Sequence, residues 1–251
     1  MPRTRVLVVL TLTLALLAVA CSKKKGVVRV AAASDLAIAF KEVEAAFEKK
    51  TGIQVDVILG SSGQFAQKIG EQAPYDVFFS ANVSFVDDVI KSGDCDGETR
   101  ALYGRGRIVM WSKDTPPASL SELPAGSGKI AIANPDHAPY GRAAKQAMDA
   151  AGVWEQVKDR VVYGSNIQQT MQLAQTGNAA LAFVALALAI ADDEGRYTEI
   201  DEAMHKPLEQ ALVVCKHGRA QAGGRQFAAF VMSPEGREIM KRYGFRLPDE
   251  K

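Results

Sequence analysis

Three stretches of the sequence combine an apolar strand, a small polar turn and the start of a helix. The first, VRVAAASDLAIAF at residues 28–40, breaks at Ser34 and Asp35. Residues 55–59 lead into GSSGQFAQKI, and residues 160–163 lead into GSNIQQTMQLAQ. Ser, Asp and Asn cap helices, and the unbonded N–H groups of a first helical turn attract anions with the help of the helix dipole. One such turn is typical of any strand-to-helix connection, but three predict a small anionic ligand held by converging helix N-termini.

Sequence patterns of catalytic and metal sites are absent. GSSG at residues 60–63 lacks the G-x-S-x-G pattern of a nucleophile elbow, and GSGK at residues 126–129 lacks the rest of a phosphate-binding P-loop. The three histidines lie far apart in the sequence, without the spacing of metal ligands. The carboxylates are scattered, so no catalytic pair stands out. The sequence therefore predicts a binding protein, without a cofactor or a free metal cation; an enzyme is the alternative.

The composition is that of an ordinary globular protein. The chain has 251 residues, of which 47% are hydrophobic and 24% are charged, and its formal net charge is +1. This length allows one large domain or two modest lobes. The neutral balance and the lack of a long basic run argue against nucleic-acid binding.

The first 21 residues have the features of an export signal. Arg3 and Arg5 precede an uncharged apolar run at residues 6–20, which is shorter than the roughly 20 residues of a membrane span. Ala20-Cys21 resembles a bacterial lipobox, in which Cys21 becomes the lipidated first residue; a simple cleaved signal is the alternative. Residues 22–26 read as a polar tether. We expect a periplasmic or cell-surface protein, anchored to a bacterial membrane only by lipid at Cys21.

Two further cysteines follow the lipobox. An extracytoplasmic compartment is oxidising, so Cys95 and Cys215 could form a disulfide. Cys215 also ends the apolar run ALVVC and could instead be a buried packing residue. The sequence leaves both possibilities open.

Apolar alternation and helical spacing predict an α/β fold with mostly parallel strands. The predicted strands are residues 28–32, 54–59, 76–80, 107–111, 129–133, 160–163, 180–184 and 209–215. The predicted helices are residues 36–50, 64–71, 83–91, 141–150, 167–176 and 225–232, with shorter ones at 187–191 and 234–241. Crossover points near residues 104–106 and 205–209 divide the chain into two lobes with a cleft between them. Lobe 1 comprises residues 27–105 and 209–251, and lobe 2 comprises residues 106–208.

Five motifs, in order along the chain, resemble those of the periplasmic molybdate-binding proteins, the solute-binding subunits of molybdate ABC importers. They are AAASDL at 31–36, SSG at 61–63, APYDVFFSA at 73–81, NPDHAPYGR at 134–142 and KRYGF at 241–245. The resemblance covers residues 27–246. It implies a two-lobed type II periplasmic-binding-protein fold, a monomer, a membrane permease as partner, and molybdate or tungstate as the ligand. A binder of sulfate or another oxyanion, and an enzyme on the same fold, are the alternatives.

The resemblance also implies a ligand site. The family's two ligand-binding serines correspond to Ser34 and Ser62. The residue after the proline of the family's HxP segment corresponds to Tyr140, and the residue whose backbone N–H binds the ligand corresponds to Ile167. A tyrosine used by some members is replaced by Ala185, and the Tyr140 hydroxyl could supply the missing donor. The fifth position is Asp35, whose carboxylate would repel an anion.

For Asp35, we therefore expect the side chain to turn away and cap its own helix while its N–H faces the ligand. Molybdate and tungstate are dianions that cannot donate a hydrogen bond, so a site made only of donors suits them and disfavours protonated phosphate.

Overall fold

The computed structural model describes residues 26–249, which contain two five-stranded sheets. The segments predicted as signal, lipidation site and most of the tether, residues 1–25, lie outside the described residues. The strands are β1 Val28–Ala33, β2 Val55–Gly60, β3 Val77–Ser80, β4 Cys95–Gly106, β5 Ile108–Ser112, β6 Ile130–Ala133, β7 Val161–Gly164, β8 Leu181–Ala185, β9 Arg196–Glu199 and β10 Leu208–Cys215.

Helices cover both sheets. They are α1 Ala39–Thr51, α2 Ser62–Gly70, α3 Val83–Lys91, α4 Pro139–Ala150, α5 Trp154–Val157, α6 Ile167–Gln175, α7 Leu186–Ala189, α8 Gln221–Val231 and α9 Pro234–Arg242. Short 3-10 turns occupy Ser34–Leu36, Leu120–Ala125, Lys158–Arg160 and Glu202–Met204. Within residues 26–249, none of these helices is long and apolar enough to cross a bilayer.

The strand order shows how the chain visits the two sheets. The first sheet has the order β2-β1-β3-β10-β4, and the second has the order β7-β6-β8-β5-β9. In the first, β1, β2 and β3 are parallel, whereas β10 is antiparallel to both of its neighbours. The chain passes to the second sheet between β4 and β5 and returns between β9 and β10. The strands predicted for each lobe therefore lie in separate sheets.

Each sheet has its own apolar core. In the first, Phe40, Phe47, Phe79 and Phe227 pack edge to face, with ring centroids 5.0–5.8 Å apart. Edge-to-face contacts between buried rings stabilise beyond the area they bury. In the second, the buried residues include Trp111, the bulkiest of the fully buried side chains. Ala33, Ala37 and Ala81, at or after the ends of first-sheet strands, pack against the core of the second sheet.

The sequence prediction missed two strands and the short helix α5, and the largest errors in helix starts are those of α1 and α8. Strands β4 and β9 are edge strands with many exposed or half-exposed polar residues, so they lack the apolar alternation that marks a half-buried strand. Helix α1 begins at Ala39, because Ser34–Leu36 forms a separate 3-10 turn. Helix α8 begins at Gln221, and its first turn contains two glycines that weaken the helical pattern.

Cys95 and Cys215 form a disulfide. They lie directly opposite each other on the antiparallel strands β4 and β10, and both are buried. The bond therefore closes one end of this strand pair, at the opposite end of β10 from Gln210. Of the two possibilities that the sequence left open, Cys215 as an unpaired packing residue is wrong.

Candidate ligand-binding site

The five residues that the family resemblance singled out line one small cavity between the two sheets. Ser34, Asp35 and Ser62 follow strands of the first sheet, whereas Tyr140 and Ile167 follow strands of the second. A larger cavity lies beside Arg160, whose guanidinium bonds two main-chain carbonyls. The small cavity is lined by Ala33, Ser34, Asp35, Gly60, Ser61, Ser62, Ala81, Ala138, Pro139, Tyr140, Asn166 and Ile167.

Three helices begin at this cavity. Helix α2 begins at Ser62, α4 at Pro139 and α6 at Ile167. The first N–H groups of a helix have no partner within it, and the helix dipole adds partial positive charge there. Pro139 has no N–H to offer, so Tyr140 is the first N–H donor of α4. Main-chain N–H donors therefore converge on this cavity, and no basic side chain stands among its lining residues.

The two predicted serines each have a hydroxyl hydrogen to offer. Ser62 Oγ accepts a hydrogen bond from the Ala81 N–H at 3.0 Å, and Ser34 Oγ lies 3.4 Å from the Gln168 N–H. Both serines are buried, and within residues 26–249 neither hydroxyl donates a hydrogen bond to another residue. Each can therefore donate to an occupant of the cavity.

Ser61 has a different role from its neighbour. Its hydroxyl donates to the main-chain oxygen of His137 at 2.6 Å, and its Oγ lies 2.9 Å from His137 Nδ1. The Gly63 N–H donates to the same carbonyl at 3.0 Å. Ser61 and Gly63 come after a strand of the first sheet, and His137 comes after a strand of the second. These bonds therefore hold the two sides of the cavity together.

Asp35 also bridges the two sides. Its Oδ2 accepts from the Tyr140 hydroxyl at 3.0 Å and from Gln210 Nε2 at 2.6 Å, while Gln210 Nε2 lies 3.1 Å from the Tyr140 oxygen. Oδ1 is buried and has no hydrogen-bond partner among residues 26–249. Burial raises the pKa of the Asp35 carboxyl to about 6, although the bonds from Gln210 and Tyr140 oppose that rise.

This geometry corrects two expectations. The Asp35 side chain does not turn away to cap its own helix, because its carboxylate is held inside by Tyr140 and Gln210. The Tyr140 hydroxyl donates its only hydrogen to Asp35, so it has none left to replace the donor absent at Ala185. Ala185 itself ends β8, buried opposite Ile108, and does not line the cavity. The main-chain N–H is then the group that Tyr140 can offer to a ligand.

Sequence reasoning missed Gln210, Ser61, Asn166 and His137. Gln210 carried a usable signal, because it is the one strongly polar side chain on the inward-facing positions of an otherwise apolar strand. Asn166 caps α6 by accepting from the Gln169 N–H, which follows from its position before the helix. The contacts of Ser61 and His137 join residues 76 positions apart, and no local pattern predicts them.

Comparisons with known proteins agree with this architecture. Residues 28–246 match the family described as bacterial extracellular solute-binding protein. The molybdate-binding protein ModA of Rhodobacter capsulatus is 34% identical over 224 residues, which cover 88% of each chain. ModA of Azotobacter vinelandii is 31% identical, over 91% of this chain and 93% of its own.

The solved structures include a relative with the same fold. The periplasmic molybdate-binding protein of Azotobacter vinelandii superposes with a TM-score of 0.83 at 30% identity, covering 88% of this chain and 100% of that one. This confirms the predicted two-lobed periplasmic-binding-protein fold. On sequence and structure together, the chain belongs to the bacterial extracellular solute-binding proteins, and within them to the ModA family of molybdate-binding proteins.

Proposed function

We propose that this protein captures molybdate outside the cytoplasm and delivers it to the membrane permease of an ABC importer. The observation that carries the proposal is the convergence of three helix N-termini and two buried serine hydroxyls on one cavity. Tungstate has the same charge and shape, so it is expected to bind at the same site. The protein acts as a binding protein rather than an enzyme, and as a monomer.

Uncharged donors suit a tetrahedral dianion. An arginine in the cavity would itself have to be desolvated, at a cost that N–H and O–H groups avoid. The proposed donors are the hydroxyls of Ser34 and Ser62 and the main-chain N–H groups at Asp35, Tyr140 and Ile167. Sulfate has the same charge and shape as molybdate, so cavity size must separate the two.

Binding is proposed to close two lobes, residues 27–105 with 209–251 and residues 106–208. The bonds from Ser61 and Gly63 to His137, and from Tyr140 to Asp35, join residues of different lobes. A ligand that accepts hydrogen bonds from both lobes adds to these contacts, so it favours the closed arrangement.

Titration calorimetry of the soluble domain tests the proposal. We expect saturable binding of molybdate and tungstate with one site per chain, and weaker binding of sulfate at the same ionic strength. Tight sulfate binding without molybdate binding would assign the site to another oxyanion. Hydrolysis of simple esters or phosphoesters by the same preparation would favour an enzyme instead.

The membrane anchor is a separate prediction. Because Cys21 ends an apolar segment behind small residues, we propose that it is lipidated and that Cys21→Ser releases the protein from the membrane fraction. One saturated chain binds membranes only marginally, so the mature anchor needs more than one. Membrane fractionation that is the same for the parent and Cys21→Ser would contradict the lipobox interpretation and leave a simple cleaved signal.

A further inference from the structure

Asp35 gives this site a chemistry that its serines and main-chain donors do not explain. We propose that the oxyanion binds together with one proton, taken from solvent and held between Asp35 Oδ1 and a ligand oxygen. This coupling rests on the proposed function, because it takes the occupant of the cavity to be a dianion. It makes Asp35 a donor in the complex and restores a site made only of donors.

The geometry assigns a separate task to each carboxyl oxygen. Oδ2 accepts from Tyr140 across the cavity and from Gln210 of β10, a strand of the same sheet as β1. Oδ1 is buried, makes no hydrogen bond in the part of the chain that the structure describes, and belongs to a side chain that lines the cavity. A buried polar atom without a hydrogen bond is costly, so the ligand is the group that satisfies it. Oxyanion oxygens are acceptors, and two acceptors can form a hydrogen bond only if one of them carries a proton.

Within residues 26–249, no basic side chain lines the cavity beside Asp35 to offset its ionisation. The groups that act on its carboxyl are Tyr140 from α4, Gln210 from β10, Tyr103 from β4 and the main-chain N–H groups of Asp35 and Leu36. All of these are neutral at physiological pH, and burial keeps the pKa of both tyrosines well above its ordinary value. An ionised Asp35 beside a dianion would repel it strongly in such a poorly solvated place. Protonation removes this repulsion.

The sign of the pH dependence follows. Below about pH 6, Asp35 already carries its proton before the ligand binds, because burial raises its pKa to about 6. Affinity is therefore independent of pH there. Above that value the free protein has lost the proton and must regain it on binding, so the dissociation constant rises about tenfold for each pH unit. A neighbouring dianion raises the pKa of Asp35 in the complex, which sustains this slope into the alkaline range.

Titration calorimetry with molybdate measures the proton directly. Two buffers of different ionisation enthalpy, compared at about pH 8, should reveal uptake of about one proton by the parent protein. Asp35→Asn should take up none and bind with the same affinity from about pH 6 to pH 9. Its amide can donate to the ligand while its carbonyl oxygen accepts from Tyr140 and Gln210. At about pH 8 the variant should therefore bind molybdate more tightly than the parent, by roughly a hundredfold.

Histidine is the other residue type that titrates in this range, and His137 touches Ser61 at the rim of the cavity. In His137→Asn, the molybdate dissociation constant should depend on pH with the same slope as in the parent. Molybdate binding by the parent without proton uptake would overturn the coupling and leave the capture of molybdate intact. Loss of the proton uptake in His137→Asn would assign the proton to His137 and would also overturn the coupling at Asp35. If the parent protein binds no molybdate at any pH, both the proposed function and the proton coupling are wrong.

Discussion

Ser62→Ala is expected to weaken molybdate binding about ten- to a hundredfold, and Ser34→Ala is expected to do the same. Each hydroxyl is buried at the cavity and has a hydrogen to donate, and a hydrogen bond to a charged group contributes about 1.5–3 kcal/mol. Ser62→Ala also leaves the Ala81 N–H without its acceptor. Thermal unfolding without ligand therefore has to accompany the calorimetric titration of each variant.

Three matched variants make the pattern specific. Ser61→Ala removes a hydroxyl that is already donated to His137, so it should loosen closure without removing a ligand donor. Ile167→Ala should be mild, because the proposed donor is its main-chain N–H. Tyr140→Phe should also leave a ligand donor in place, because the hydroxyl donates to Asp35. Parent-like binding by both Ser34→Ala and Ser62→Ala would show that this assignment of the site is wrong.

Molybdate is expected to stabilise the folded protein by about 2.7 kcal/mol at about a hundred times its dissociation constant, because it binds only the folded state. For a domain of this size, the melting temperature should rise by roughly 5–10 °C. The site requires groups from both sheets, so the unfolded chain cannot hold the ligand.

Sulfate at matched ionic strength controls for general salt effects in this measurement. The Ser34→Ala, Ser62→Ala double variant at the same molybdate concentration controls for binding elsewhere. Both should shift the melting temperature much less than molybdate shifts that of the parent. An unchanged melting temperature of the parent in millimolar molybdate would contradict specific capture.

Local patterns determine much of this fold. The parallel strands and the helices that follow them are set by apolar runs, small polar turns and helical spacing, which act over a few residues. The positions of Ser34, Ser62 and Ile167 follow from the same patterns, because each stands at a turn between a strand and a helix. Edge strands β4 and β9 escape this reasoning, since an edge strand needs only one partner and exposes polar residues.

The sequence by itself therefore determined the α/β class, the family and the turns that are proposed to supply donors. Only the tertiary structure decided what Asp35 does. Its partners Tyr140 and Gln210 stand 105 and 175 residues away, in helix α4 beside the second sheet and on the returning strand of the first. The disulfide likewise depends on the register that places Cys95 opposite Cys215. Such contacts are fixed by how two separately formed sheets approach each other, and no interaction between neighbours in the chain encodes that distance.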